Sequence, residues 1–417
     1  MFQAFRERLG PGLLFAAMAV GLSHLVQSTR AGANYGMTLW WLVLFVSIIK
    51  YPAFRYGSMY AAATGQTLID SYERQGRYAV MAYALALSVD AFVGVPAMAL
   101  VTAGLCKFVF SIALGDQGMV ALLLCGGALL LISGQYRLFE SVAKVLVVAF
   151  SIFTVIAAAI ALSRLDFAAA TLSAPITYDR AGLLFIIAVA GVMPSSVTAS
   201  VFQSVWMSAK SETLGRPVTP RDAAFDINFA YIVTIFLAMC FLGMGTILMF
   251  NQGIEVASGA TGFAAQLVAM FTQVFGNWAN IIISISAIAV ISSSMLTLLD
   301  GCPRTGARIV TTLRNRTAAA TPTELNRLYI FLVVIQVIGS FAMILLFLKS
   351  FKAFIDLATS IAFIAAPLIA YLNHRAMAAK EVPVEQRPTG LLRMWSVFGI
   401  VSLAMFAIAY IWFSVIA

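Results

Sequence analysis

Residues 19–32, AVGLSHLVQSTRAG, put Ser23, His24, Gln27, Ser28, Thr29 and Arg30 into a run that is otherwise apolar. Hydroxyls and amides give and take hydrogen bonds, imidazole can do so or carry charge, and guanidinium is a fixed cation with five N–H groups. A second stretch, FIIAVAGVMPSSVTASVFQSVW at 185–206, is interrupted at Gly191, Met193 and Pro194 and adds Ser195, Ser196, Thr198 and Ser200. Proline has no N–H and clashes with the preceding turn, so it breaks a helix and frees backbone polar groups beside those hydroxyls. Lys50, in FVSIIKYPAFRYG with Arg55 beyond it, and Asp90 are further ionisable groups within apolar runs. This inventory suits holding a small ion. It does not suit bond breaking: the two histidines, His24 and His374, are far apart, and no nucleophile–base pattern is visible, so no enzyme is expected.

The elements that must position these groups are membrane helices. The chain has 417 residues, 62% hydrophobic and 10% charged, with a mean hydropathy of +0.96. Those values lie outside the range of soluble domains. Apolar runs of ~20 residues recur throughout, as a bilayer requires. They predict about eleven spans, near 11–33, 39–63, 79–110, 118–134, 140–163, 182–206, 226–250, 278–300, 324–348, 353–373 and 391–416. The apolar stretch at 260–275 is short and reads as a surface or re-entrant helix. No stretch between spans is long enough for a soluble domain.

The net charge of +9 fits the positive-inside bias, and no nucleic-acid partner is expected. Arg6, Arg8, Arg74, Arg77, Arg137, Lys210, Arg216, Arg221, Arg304 through Arg327 and Arg375 through Arg393 fall on one side. Arg164, Arg180, Lys349 and Lys352 fall on the other. The expectation is a multi-pass protein of a bacterial-type inner membrane, its N-terminus cytoplasmic and its C-terminus outside. MFQAFRERLGPG lacks a small-residue cleavage site, so no signal peptide is expected. Cys106, Cys125, Cys240 and Cys302 show no metal spacing and read as packing residues.

Interrupted apolar segments at matching positions in two halves point to inverted repeats. Spans one and six have that relation. The predicted organisation is a first repeat of five spans over 1–163, a second over 164–373 and an extra helix over 374–417. Broken backbone at membrane depth must line a cavity or be covered by protein, so the two interruptions are expected to face each other.

Here the residues resemble a known family. LGPGLL, RAGANYGMTLWWLVL, YAAATG, GQYRLFESV, AGVMP, ISSSMLTLLDG and IAFIAAPLIAY, in that order, are similar to stretches of the natural resistance-associated macrophage protein (Nramp) family of proton-coupled divalent metal transporters. The resemblance implies an all-α polytopic LeuT fold and secondary transport by alternating access. It also marks departures. The family's Asp-Pro-Gly-Asn in span one corresponds to Gly21, Leu22, Ser23 and His24, so the metal-binding Asp is absent. In the family's Ala-x-x-Met-Pro-His, Ala190 and Met193 match, but Ser195 replaces the His. Of the family's acidic residues in span three, only Asp90 has a loose match.

A divalent cation would be left with Met193, His24 and the Ala190 carbonyl. Such ligands suit a softer ion but bring no anion to offset its charge. A small anion such as bicarbonate would meet helix-end N–H groups, the hydroxyls of Ser23, Ser195 and Ser196, the Gln27 amide, His24, and counter-charge from Arg30 or Lys50. The anion is therefore the expected substrate, and a divalent metal held by Met193 and His24 is the alternative. No cofactor is expected beyond a coupling ion, sodium or proton. Ser293 and Thr297 are a possible site for it, because hydroxyls there serve sodium in some LeuT-fold transporters. The chain is expected to act as a monomer or homodimer in the bilayer. Structural readings stand beside these: Arg30 snorkelling to the interface, Lys50 paired with Asp90, His24 and Met193 as packing, the hydroxyls as helix–helix glue, and Arg137, Glu140 and Asp226 as structural or gating residues.

Overall fold

A computed structural model describes residues 10–413 except 135, 167, 169, 177, 178, 315–320 and 349; of 136–144, 322 and 362 it describes the backbone alone. Arg6, Arg8, Lys349 and the side chains of Arg137 and Glu140 lie outside the described residues. Thirteen helices carry the argument. They are α1 Pro11–Tyr35, α2 Met37–Thr64, α3 Arg77–Phe110, α4 Asp116–Ile132, α5 Tyr136–Ser163, α6 Arg180–Val192 and α7 Ala199–Leu214, then α8 Pro220–Leu248, α9 Ala260–Phe275, α10 Asn280–Arg314, α11 Pro322–Phe347, α12 Phe351–Met377 and α13 Gly390–Ile411.

Among the described residues, nine helices are long and apolar enough to cross a membrane, while α4, α6 and α9 are shorter. Helix α4, at 17 residues, reaches about 25 Å, close to a hydrocarbon core. With α4 and the α6–α7 pair, the helices follow the order of the eleven predicted spans. The short α9 packs on α3 and buries Phe263, Leu267 and Phe271.

Burial says which helices are central. The most apolar window of α1 is 89% buried, against 22% for α11 and 28% for α13. Helix α1 is therefore inside the bundle, and α11 and α13 present their apolar faces outward. Against α1 lie α8 on one side and α10 on another, while α2 packs on α7 and α8, and α6 on α12.

The α1–α8 crossing is set by glycine. A Cβ on Gly32 would lie 2.1 Å from the Leu242 carbonyl oxygen, and one on Gly245 2.3 Å from that of Thr29. Such close backbone approach is the small-residue packing of membrane helices. Gly32→Val is accordingly expected to cost ~1–3 kcal/mol or more through overpacking. The check is loss of the monodisperse peak in size-exclusion chromatography. The control is Gly243→Ala, whose Cβ meets nothing within 4 Å.

Helix α2 contains Pro52, which cannot donate to the carbonyl of Ile48. That carbonyl accepts instead from Trp395 Nε1 of α13 at 2.8 Å. The adjacent Ser47 carbonyl accepts from Tyr231 Oη of α8 at 2.6 Å. The carbonyl that Pro52 leaves unpaired is thus used, with its neighbour, to dock α13 and α8.

The two predicted interruptions differ in kind. In α6, Met193 takes extended backbone (φ −85°, ψ 134°), as the residue before a proline does. The chain then restarts as α7 at Ala199. In α1 the helix continues, and Val20–Ser28 is wound as a π-helix. Span one therefore widens instead of separating, and it offers no free helix end. A second π turn, Asp90–Gly94, lies in α3.

Candidate functional site

The π segments and the α6–α7 break meet at one cavity. Its volume is about 50 Å³, room for a small ion with a few waters and far short of the ~300 Å³ of a drug-sized site. Leu22 and Ser23 reach it from the α1 π segment, Asp90 and Gly94 from that of α3, and Ser195, Ser196 and Thr198 from the break. Met18, Met98, Phe202 and Leu298 are among its apolar walls. A π turn inserts one extra residue and shifts the helix face, a common device at functional sites. Here it serves α1 and α3, while α12 adds Thr359 to the wall from a span without a π turn.

Asp90 is the one ionisable side chain on the cavity wall among the described residues. It is 7% exposed. Its Oδ2 accepts from Thr198 Oγ1, and Thr198 Oγ1 in turn shares a hydrogen bond with Ser196 Oγ at 2.8 Å. The carboxylate and the hydroxyls therefore form one oxygen-rich wall. Lys50 is not its partner, contrary to the structural reading above.

Lys50 is fully buried and turns to the end of α6. Its Nζ donates to the carbonyls of Gly191, Ala190 and Met193 at 2.7, 2.8 and 2.8 Å. Nor does Arg30 snorkel. It is 2% exposed and makes a bidentate pair with Asp356 of α12, at 2.7 and 3.1 Å. Arg30 also donates to Gln27 Oε1 at 2.9 Å, and Gln27 Nε2 donates to Thr359 Oγ1 at 3.1 Å. Phe185 lies under the guanidinium, 5.0 Å from its ring centroid. Arg55 bonds Tyr51 and Asn228.

The other predicted residues disperse. His24 faces α8, its Nε2 2.6 Å from the Thr234 carbonyl oxygen. Met193 is buried and its sulfur accepts from Ser28 Oγ at 3.6 Å. The two therefore do not converge, and the described residues hold no group of three His, Cys, Asp or Glu able to bind a metal ion. Gly21 packs on α10, where an added Cβ would fall 2.6 Å from Ser294 Oγ. Ser294 donates to the Ala17 carbonyl at 2.9 Å. Its neighbour Ser293 is buried, and the Ser293 carbonyl accepts from Thr297 at 2.7 Å. Asp226 accepts from the Gly10 and Gly12 amides at 2.9 and 2.8 Å, fixing the start of α1 to α8. The cavity thus gathers Ser23, Asp90, Ser195, Ser196 and Thr198 of the residues singled out in the sequence, and the basic residues that suggested an anion face other partners.

Sequence reasoning missed Asp356 and Thr359. The signal was present: Asp356 is a carboxylate inside an apolar span, which marks a functional group by default.

No protein-family model matches the chain. An uncharacterized protein of Pasteurella multocida (strain Pm70) is 29% identical over 406 residues, covering 97% of this chain and 91% of that protein. Among solved structures, an Eremococcus coleocola manganese transporter superposes with a TM-score of 0.67 at 13% identity, over 96% of this chain and 85% of that one. MhsT, in complex with L-phenylalanine, does so at 0.59 with 15% identity, over 97% of this chain and 98% of that one. Mhp1, a nucleobase-cation-symport-1 family transporter, also scores 0.59, at 12% identity over 97% and 93%. The fold is that of LeuT-type transporters, all-α and multi-pass. At these identities the likeness is one of fold.

Proposed function

We propose that this chain is a secondary transporter that moves a small cation of single charge by alternating access through the Asp90 cavity. One observation carries the reading: the cavity's one ionisable side chain among the described residues is an acid, while Lys50 and Arg30 are engaged elsewhere. A carboxylate flanked by hydroxyl oxygens is a hard donor set. One negative charge offsets one positive charge. A divalent ion would keep a net charge in a low-dielectric interior, which is costly. An anion would meet Asp90 with like charge. In this reading Asp90 carries either the cation or a proton, which couples the two fluxes. The bilayer is the working environment, with the N-terminus proposed on the cytoplasmic side.

The likeness to a manganese transporter favours a second reading, divalent metal transport, and one experiment separates the readings. Purified protein in proteoliposomes is given sodium-22, manganese-54 or carbon-14 bicarbonate, with and without a pH gradient. Saturable sodium uptake or sodium-linked proton flux is expected. Bicarbonate uptake without cation flux sinks the proposal, and saturable manganese uptake replaces it with the second reading.

A further inference from the structure

We infer that Lys50 is a tethered cation: its ammonium fills a carbonyl cage at the α6 break that would otherwise take up a free cation. The last carbonyls of any helix lack intrahelical partners, and they carry the negative end of its dipole. At membrane depth no bulk water satisfies them. In α6 the Ala190, Gly191 and Met193 carbonyls converge within 2.8 Å of Lys50 Nζ. An ammonium has three hydrogens, and each has one oxygen here. A fourth carbonyl, Ser195, stands at 3.5 Å. The Phe363 ring lies 5.4 Å from Nζ, a cation–π distance.

Among the described residues no carboxylate pairs with Lys50, so backbone dipoles and a ring face meet the charge. That is how a protein holds a desolvated metal or alkali ion. Here the cation comes from α2 on a four-carbon stem. Two consequences follow. The break is closed to free cations in the native protein, so Lys50 acts as a specificity determinant that leaves Asp90 as the place where a mobile cation binds. And α2 is fixed to the end of α6 by a charge that cannot diffuse away. The role given to Asp90 rests on the cation reading above, whereas the cage itself does not, because the test below reads binding and folding without flux.

The test compares the native protein with Lys50→Met, which keeps the length of the stem and removes the charge, in detergent. The probes are thallium-204 and cadmium-109 ions in a scintillation binding assay, one a large monovalent cation and the other a soft divalent one. Asp90→Asn in both backgrounds removes binding at the cavity. Against Asp90→Asn alone, the double variant is expected to gain saturable binding of at least one probe, at least tenfold tighter. Folded double variant with no gain in binding overturns the inference. Should the methionine variant not fold, Lys50→Ala is purified with 10 mM n-propylammonium, which replaces the missing atoms, or with 10 mM 1-propanol. Recovery of monodisperse protein with the ammonium alone supports the tethered cation. Equal recovery with both, or with neither, overturns it.

Discussion

Asp90→Asn is expected to reduce ion uptake at least about thirtyfold while leaving the amount and dispersity of folded protein unchanged. The size follows from removing one member of a desolvated charge pair, about 2–5 kcal/mol, and every 1.4 kcal/mol is tenfold. The fold is expected to survive because asparagine is nearly isosteric and its amide oxygen can still accept from Thr198, which now bonds Asp90 Oδ2. Asp90→Glu keeps the charge but pushes it about one methylene further into a cavity of about 50 Å³. Partial uptake with a raised KM is expected there. Uptake by Asp90→Asn at the native rate would leave the cavity without a charge-bearing role and remove the basis of the cation reading. The asparagine variant also separates coupling from binding. If Asp90 carries the exchanging proton, a pH gradient will no longer drive whatever uptake remains.

The bundle was legible in the sequence because bilayer physics writes it there. Apolar runs near span length, positive charge alternating between loops, and Pro194 after Met193 led to the span order and to the break before α7. The direction in which each polar side chain points was not legible. Ser23 and His24 are adjacent, yet Ser23 faces the cavity and His24 faces α8. A 3.6-residue period does not foretell their faces once Val20–Ser28 is wound as a π-helix. Residue types alone suggested a break in α1, and no proline stood there to enforce one. Lys50 shows the same limit. Its charge was read as facing a substrate, but a lysine reaches several ångströms from its helix, and the nearest uncompensated negative ends were the α6 carbonyls. Whether a buried cation meets a substrate or a helix end is settled by helix packing, which sequence alone does not supply.

The Arg30–Asp356 pair joins α1 to α12 beside the cavity, and its two halves are expected to respond unequally. Arg30's side chain is 3% exposed and Asp356's 28%. Asp356→Leu strands a guanidinium in a dry site, with Gln27 Oε1 and the Phe185 face as remaining partners. Breaking a buried pair this way costs about 3–5 kcal/mol. Arg30→Met strands a carboxylate that is less deeply buried than the guanidinium and keeps the Gln27 amide at 3.2 Å, so the expected loss is smaller, about 1–2 kcal/mol. Arg30→Met with Asp356→Leu removes both charges and leaves apolar groups of similar bulk, an exchange often near neutral in buried sites. Apparent melting temperatures in detergent are therefore expected to rank Asp356→Leu lowest, Arg30→Met next, and the double variant close to the native protein. Equal loss in all three would mean that the pair contributes packing and not charge. Uptake by the double variant then decides what the pair does in the cycle. A staple between helices is replaced by apolar contact, and transport returns with stability. A latch that must open and re-form is not replaced, because apolar side chains lack its directional, reversible bonds. A stable double variant with uptake still lost assigns the pair to gating.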